Sequence, residues 1–330
     1  MQLNIFVTTF SLCFVILSFV GCSSEEIAVQ KIDFPIETEI ELDTETATIY
    51  GTLTMPNDDL QFPIVLIVPG SGPTDRNGNN SIGLFTNTYK MISDTLAFHG
   101  IASLRYDKRG VGKSFSNGFN ELDLTFEDYI SDTEKWIAKL EADGRFNRIF
   151  VLGHSQGALI GSIVSSENVI DGFISVAGTA QSAGLLILEQ LSAQHDDLKT
   201  EAETIISSLN NGVLVEDVSS SLLPLFRPDI QPYLISWFKY DPKTEIAKVT
   251  SPILILHGST DLQIESTEAP VLANNNLAAE FVIIDNMNHV LKDASDDYDE
   301  NIATYSNPNL PLSIGFSSSI LSFIEKVIKG

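Results

Sequence analysis

The stretch from Arg148 to Val164 constrains the fold more than any other part of the chain. The apolar run Arg148-Ile149-Phe150-Val151-Leu152 reads as a strand. It meets the pentapeptide Gly153-His154-Ser155-Gln156-Gly157, and Ala158 to Val164 continues with small residues at helical spacing. Strand, sharp turn and helix in that order are the context in which G-x-S-x-G forms a nucleophile elbow. Such a turn is tight and its serine backbone strained. A Cβ at position 153 or 157 would crowd the neighbouring strand and helix. The elbow lifts the Ser155 hydroxyl out of the sheet and sets it at a helix N-terminus, where negative charge is favoured.

The remaining elements alternate. Glu37 to Met55 has the period of an antiparallel strand pair. Phe62 to Val68 is a continuous apolar run, as expected of a strand buried on both faces. Further buried strands are predicted at Ile101–Tyr106, Gly172–Ala177, Pro252–His257 and Phe281–Ile284. Helical spacing covers Phe85 to Phe98 and Phe126 to Leu140, with Thr125 as N-cap, and Leu312 to Ile328 closes the chain as an amphipathic helix. Strands alternating with helices imply an α/β, doubly wound, mostly parallel sheet covered on both sides. One interval breaks the pattern. From about 181 to 248 there are helical patterns (Leu185 to Leu198, Glu201 to Leu209) and a Leu/Pro/aromatic segment, but no strong buried strand. This reads as a helical cap inserted after a core strand, shaping the substrate pocket and excluding water. The acidic run Asp293 to Glu300 lacks calcium-loop spacing and is expected to be a solvated surface loop.

The first 22 residues carry no charged side chain. Ile5 to Val20 is mostly apolar and shorter than the roughly 20 residues of a membrane span, which suits a secretory signal. It ends in Phe19-Val20-Gly21-Cys22, which resembles a bacterial lipoprotein signal, although no Lys or Arg precedes it and Phe19 stands where Leu is usual. That resemblance implies cleavage before Cys22, a diacylglycerol on its thiol, and an exported protein held by its lipid on a bacterial cell membrane. The expected organisation is a signal at 1–22, a polar tether at 23–31 and one α/β domain at 32–330 that includes the helical cap at about 181–248. The only other cysteine, Cys13, would leave with the signal. A large exported domain can do without disulfides because its core is big enough. The formal charge of −25, from 19 basic and 44 acidic residues, argues against nucleic acid and polyanionic substrates as partners.

A serine hydroxyl needs a base, and the base needs an orienting carboxylate. In an elbow-bearing sheet the order along the chain is Ser, acid, His. Of the five histidines, His289 follows the last core strand on a loop at the carboxyl edge, where the base must lie. His99 precedes the elbow, His154 points elsewhere, His195 lies in the cap, and His257 ends a strand and is expected to pack or set the next turn. Asp261, in His257-Gly258-Ser259-Thr260-Asp261, is the orienting acid; Asp285 sits too near His289 in sequence. Oxyanion donors are expected at the backbone N–H groups of Gln156, after the nucleophile, and Ser71, in the glycine-rich loop 69–78, each worth roughly 3 kcal/mol.

The segments PGSGPTDRNG (69–78), RYDKRGVGKS (105–114), GHSQG (153–157), HGSTD (257–261) and NMNH (286–289) resemble the α/β-hydrolases, on their lidded esterase and serine-aminopeptidase-like branch. The resemblance runs from about Thr48 to the C-terminus. Pro69 stands where these relatives usually have His. Asp107, Arg109 and Gly110 resemble a structural turn that holds loops rather than reacts. The resemblance implies hydrolysis of an ester, thioester or amide through an acyl-enzyme, with no metal or cofactor. The expectation is an esterase acting on neutral, modest-sized acyl esters. The alternatives are a peptidase of the serine aminopeptidase type and a non-catalytic membrane-tethered binding protein with a hydrolase shell; fold alone does not choose among them.

Overall fold

A computed structural model describes residues 35–56, 61–115, 119–194 and 198–330. Cys22, the expected signal and tether, and His195 lie outside these residues. The sheet has eight strands in the order β1-β2-β4-β3-β5-β6-β7-β8. These are β1 (Ile36–Asp43), β2 (Thr48–Met55), β3 (Phe62–Val68), β4 (Ala102–Tyr106), β5 (Phe146–His154), β6 (Gly172–Val176), β7 (Ile253–Gly258) and β8 (Ala279–Ile284). The hairpin β1–β2 is antiparallel and joins β4 antiparallel; β3 to β8 run parallel.

Helices cover both faces, as parallel strands require. Helix α1 (Thr88–Phe98) buries Tyr89, Ile92 and Leu96 on one face together with α11 (Ile314–Lys329), which contributes Phe316, Ile320, Phe323 and Ile324. Helices α2 (Phe126–Glu141) and α3 (Gln156–Glu167) bury Trp136, Ile137, Ile160 and Ile163 on the other. Thr125 begins α2 through a reciprocal capping box with Asp128. Among the described residues five α-helices lie between β6 and β7: α4 (Ala183–Gln194), α5 (Lys199–Asn210), α6 (Leu223–Phe226), α7 (Gln231–Trp237) and α8 (Pro242–Ile246). They occupy the interval expected of a cap. Helix α7 packs on α2, with Trp237 stacked on Phe126 at 5.9 Å and Tyr233 edge-on to Tyr129 at 5.8 Å.

Two expectations are corrected. The apolar run at 281–284 is not a core strand: β8 ends the sheet, and Phe281 and Val282 are 47% and 39% exposed. An apolar run looks alike in a central strand and in a half-covered edge. The acidic run is not all loop. Asp297 caps α10 (Tyr298–Ala303) by accepting from the Glu300 N–H, so its carboxylates supply a helix start. At the opposite edge, β1 alternates Glu37, Glu39, Glu41 and Asp43 along one side of the strand; all four are at least partly open to solvent.

Candidate active site

Ser155 follows β5 directly, at the N-cap of α3, with φ 55° and ψ −121°. A left-handed φ in a non-glycine residue is strained and persists only where the surroundings impose it. Here the Ser155 N–H is held by the Val176 carbonyl at 2.8 Å. The flanking glycines are required by contact: a Cβ on Gly153 would lie 2.1 Å from the Gly157 oxygen, and one on Gly157 would lie 2.3 Å from the Val68 oxygen.

Asp261 lies on the loop after β7 and His289 on the loop after β8. Their side chains meet, with His289 Nδ1 donating to Asp261 Oδ2 at 2.7 Å. The other carboxylate oxygen, Oδ1, accepts from the N–H groups of Gln263 and Ile264, so the acid also fixes the turn it stands on. His257 turns out to be a second neighbour: its Nε2 lies 3.4 Å from Asp261 Oδ2 and donates to the Ile264 carbonyl at 2.8 Å. Burial alone would raise the Asp261 carboxyl. The facing imidazoles of His289 and His257 outweigh it and hold the group well below the ordinary carboxylate range. Asp261 is therefore ionised wherever the protein is folded near neutrality.

Ser155 and His289 line one cavity of about 320 Å³. Among the described residues no hydrogen bond closes the link between the serine hydroxyl and the imidazole; in free enzymes such bonds are often long and tighten when substrate binds. Thr74, Asn80, Thr86, Gln263 and Tyr305 put polar groups on the wall of this cavity beside the apolar Ile82, Leu84 and Val290. A second cavity of about 260 Å³ opens from Ser155 beneath the cap and is lined by Leu159, Leu186, Ile187, Leu234 and Trp237 among others. Ser71, Ser155 and Gln263 border both. Gln156 borders the second, and its side-chain amide reaches Tyr233 on α7 at 2.6 Å, joining elbow to cap.

Around the loop that carries Ser71 runs a directed hydrogen-bond chain absent from the sequence reading. The His289 carbonyl can only accept, so His154 Nε2 carries the proton in their 2.9 Å bond. His154 Nδ1 must then accept from the Tyr89 hydroxyl at 2.9 Å, and Tyr89 in turn accepts the Gly70 N–H at 3.0 Å. Burial, reinforced by the nearby His289, pushes His154 down to about 3, so the chain is neutral. It ties the elbow and the loop after β3 to the backbone of His289. Lys108, inside RYDKRGVGKS, was also missed. Its Nζ donates to the Gly70 carbonyl at 2.5 Å. Asp107 accepts the Arg76 N–H, Nε and Nη2 and the Lys113 N–H, and Arg109 pairs with Asp132 through two 2.6 Å bonds. These two do hold loops, as their resemblance implied.

Between residues 83 and 209 the sequence matches the family model described as serine aminopeptidase, S33. It is 28% identical over 258 residues to esterase EstD of Thermotoga maritima; the match covers 73% of this chain and only 57% of that relative's length. The fold resembles Est1E of Butyrivibrio proteoclasticus with a TM-score of 0.61 at 17% identity, over 88% of this chain and 99% of that one. Est1E has also been solved with ferulic acid bound. An esterase of Pyrococcus furiosus superposes with a TM-score of 0.56 at 14% identity, over 89% and 91% of the two chains. Its elbow-bearing, mostly parallel sheet and these likenesses give the chain the α/β-hydrolase fold, with a sequence similar to the serine aminopeptidase S33 family and to an esterase.

Proposed function

We propose that this protein is a serine hydrolase that cleaves acyl esters through an acyl-enzyme. The observation that carries the reading is the meeting of three strand-end loops: Ser155 strained at its elbow, and His289, bonded to Asp261, on the wall of the same cavity. Ser155 Oγ attacks the ester carbon while His289 Nε2 takes its proton. Asp261 keeps the imidazole in the Nδ1–H tautomer and stabilises its charged form. The carbonyl oxygen becomes an oxyanion between the N–H groups of Gln156 and Ser71. Its collapse breaks the ester bond, and His289 returns the proton to the departing alcohol oxygen. Water, deprotonated by the same imidazole, then frees the acid and Ser155.

The two cavities divide the substrate. The departing alcohol must face His289, which borders only the first cavity, the more polar of the two. The acyl group then lies under the cap, beside Gln156 and Leu159, where the wall is apolar. Glu189, Glu265 and Glu268 line an adjoining cavity that shares Gln181, Leu186 and Gln190 with the second. Neither of the two cavities at Ser155, however, has a carboxylate among its described lining residues to pair with the α-ammonium of a peptide. That favours esters over aminopeptidase substrates. Turnover of p-nitrophenyl acyl esters, feruloyl esters and aminoacyl-anilides by the domain, with fluorophosphonate labelling of Ser155, tests the reading. Anilide turnover exceeding ester turnover would replace it with the peptidase; no turnover and no labelling would replace it with a binding protein.

The same proposal extends to location. The apolar run ending in Gly21-Cys22 supports export and a lipid anchor on Cys22. Among the described residues no helix is long and apolar enough to cross a membrane. Cys22→Ser should release the protein from membranes, and fatty-acid labelling that survives the substitution would remove the anchor.

A further inference from the structure

Lys108 and Arg109 are neighbouring buried cations with different company. Arg109 has Asp132 across a two-pronged ion pair, with Thr44 and Thr46 hydroxyls completing its bonds. Lys108 is 2% exposed, and among the described residues no carboxylate stands within ion-pairing distance of it. Its partners are the Gly70 carbonyl and the face of the Tyr129 ring, 5.1 Å from the ammonium. Taking an unpaired ammonium out of water opposes folding. Burial pushes Lys108 down to about 7, which shows how poorly the site tolerates the charge. A methionine or leucine would fill this space more comfortably. The placement of the amine therefore calls for a reason other than stability.

The reason lies in the peptide it grips. Gly70 is clamped at both ends, its N–H on the Tyr89 hydroxyl and its carbonyl on Lys108. A peptide unit is planar and trans, so its C=O and N–H point in opposite directions. Drawing the Gly70 oxygen toward Lys108 turns the Ser71 N–H away from Lys108. Gly70 itself packs against the nucleophile; a Cβ added to it would sit 3.2 Å from Ser155 Cβ. Ser71 borders both cavities, as Ser155 does. We propose that Lys108 is a positioning residue for the oxyanion hole: by holding the Gly70 carbonyl it presents the Ser71 N–H to the developing charge. A donor on that carbonyl also polarises the peptide and strengthens the N–H on its far side. Without the grip the loop could rotate the peptide, as nothing else among the described residues bonds the Gly70 oxygen.

This inference rests on the serine-esterase reading, and the test separates the two. Wild-type protein is first assayed for ester turnover and fluorophosphonate labelling; failure of both removes the esterase reading, and the role of Lys108 with it. Given an active wild type, Lys108→Met is compared for kcat, KM, Tm and inhibition by a trifluoromethyl ketone, whose adduct on Ser155 carries an oxyanion. The expectation is a 10- to 100-fold fall in kcat with KM within about two-fold, a matching loss of trifluoromethyl-ketone affinity, and a Tm that holds or rises. A residue that merely supports the fold would show the reverse, with Tm lowered and affinity for the ketone kept. That result, or an unchanged kcat, overturns the proposal. Lys108→Gln, which keeps a donor on a chain one atom shorter, should retain more activity than Met; it carries the same test if Lys108→Met does not fold, with undiminished kcat and ketone affinity again counting against the proposal.

Discussion

The carboxyl edge of the sheet and the cap above it face each other across Ser155, and they are held by different forces. At the sheet edge Ser155, Asp261 and His289 lie at a strand end or on the loop after one, and polar bonds fix this edge: Asp261 has three partners, His154 two, and the Gly70 backbone is held at both ends. In the cap the helices are short, from four residues in α6 to twelve in α4 and α5, and α7 is seated on α2 mainly by aromatic contacts, with single hydrogen bonds from the Phe126 N–H to Ser236 and from Gln156, on α3, to Tyr233. On the proposed reading, backbone position governs the chemistry and side-chain packing governs which acyl group reaches it. A polar edge tolerates no substitution of its donors, whereas apolar packing tolerates volume changes at modest cost.

If that contrast is right, substitutions should rank by which side they strike. Ser155→Ala should lower kcat by about 10⁶ and abolish fluorophosphonate labelling, the scale for triad serines; unchanged turnover would end the assignment. Asp261→Asn should cost about 10⁴ in kcat with little change in KM, since the imidazole loses its tautomer. Asp132→Ala would leave Arg109 buried without its counter-ion and should destabilise the fold by about 3–5 kcal/mol, read by denaturant unfolding, with kcat per folded molecule retained. Leu234→Ala, in the cap cavity, should instead change KM by a few-fold and shift preference toward bulkier acyl groups, visible in a chain-length series. A fall in kcat as deep as that of Asp261→Asn would erase the distinction between edge and cap.

The edge also has a pH signature. Lys108 is held near 7 in the folded state, against about 10.4 when unfolded. Between those values the unfolded chain binds more protons, so stability should rise with pH. Below about pH 7 the full penalty of the buried charge remains. The difference in unfolding free energy between Lys108→Met and wild type should therefore shrink from pH 7 toward pH 10; a constant difference would contradict it.

The sequence is most readable where backbone geometry dictates the residue. Gly153 and Gly157 are needed because any side chain there would run into Gly157 and Val68 oxygens, and that need is visible as a motif. That His289 and Asp261 would meet could be read because strand order places their loops at one edge. Lys108 could not, because a bond to a carbonyl 38 residues away leaves no local pattern. His257 was half legible: its place at the end of β7 was clear, its approach to Asp261 was not. The β8 run looked buried because composition does not record what lies on either side of a strand.

The acidic teeth of β1 bear on how molecules of this kind behave together. An outermost strand offers its unpaired amides and carbonyls to any passing chain. Glu37 and Glu39 are already paired, with Arg105 and with Arg76 and Lys113 respectively, so a second copy arriving edge to edge would meet uncompensated charge at Glu41 and Asp43. Like charges in register repel, so zippering through that border is discouraged even where the protein is concentrated.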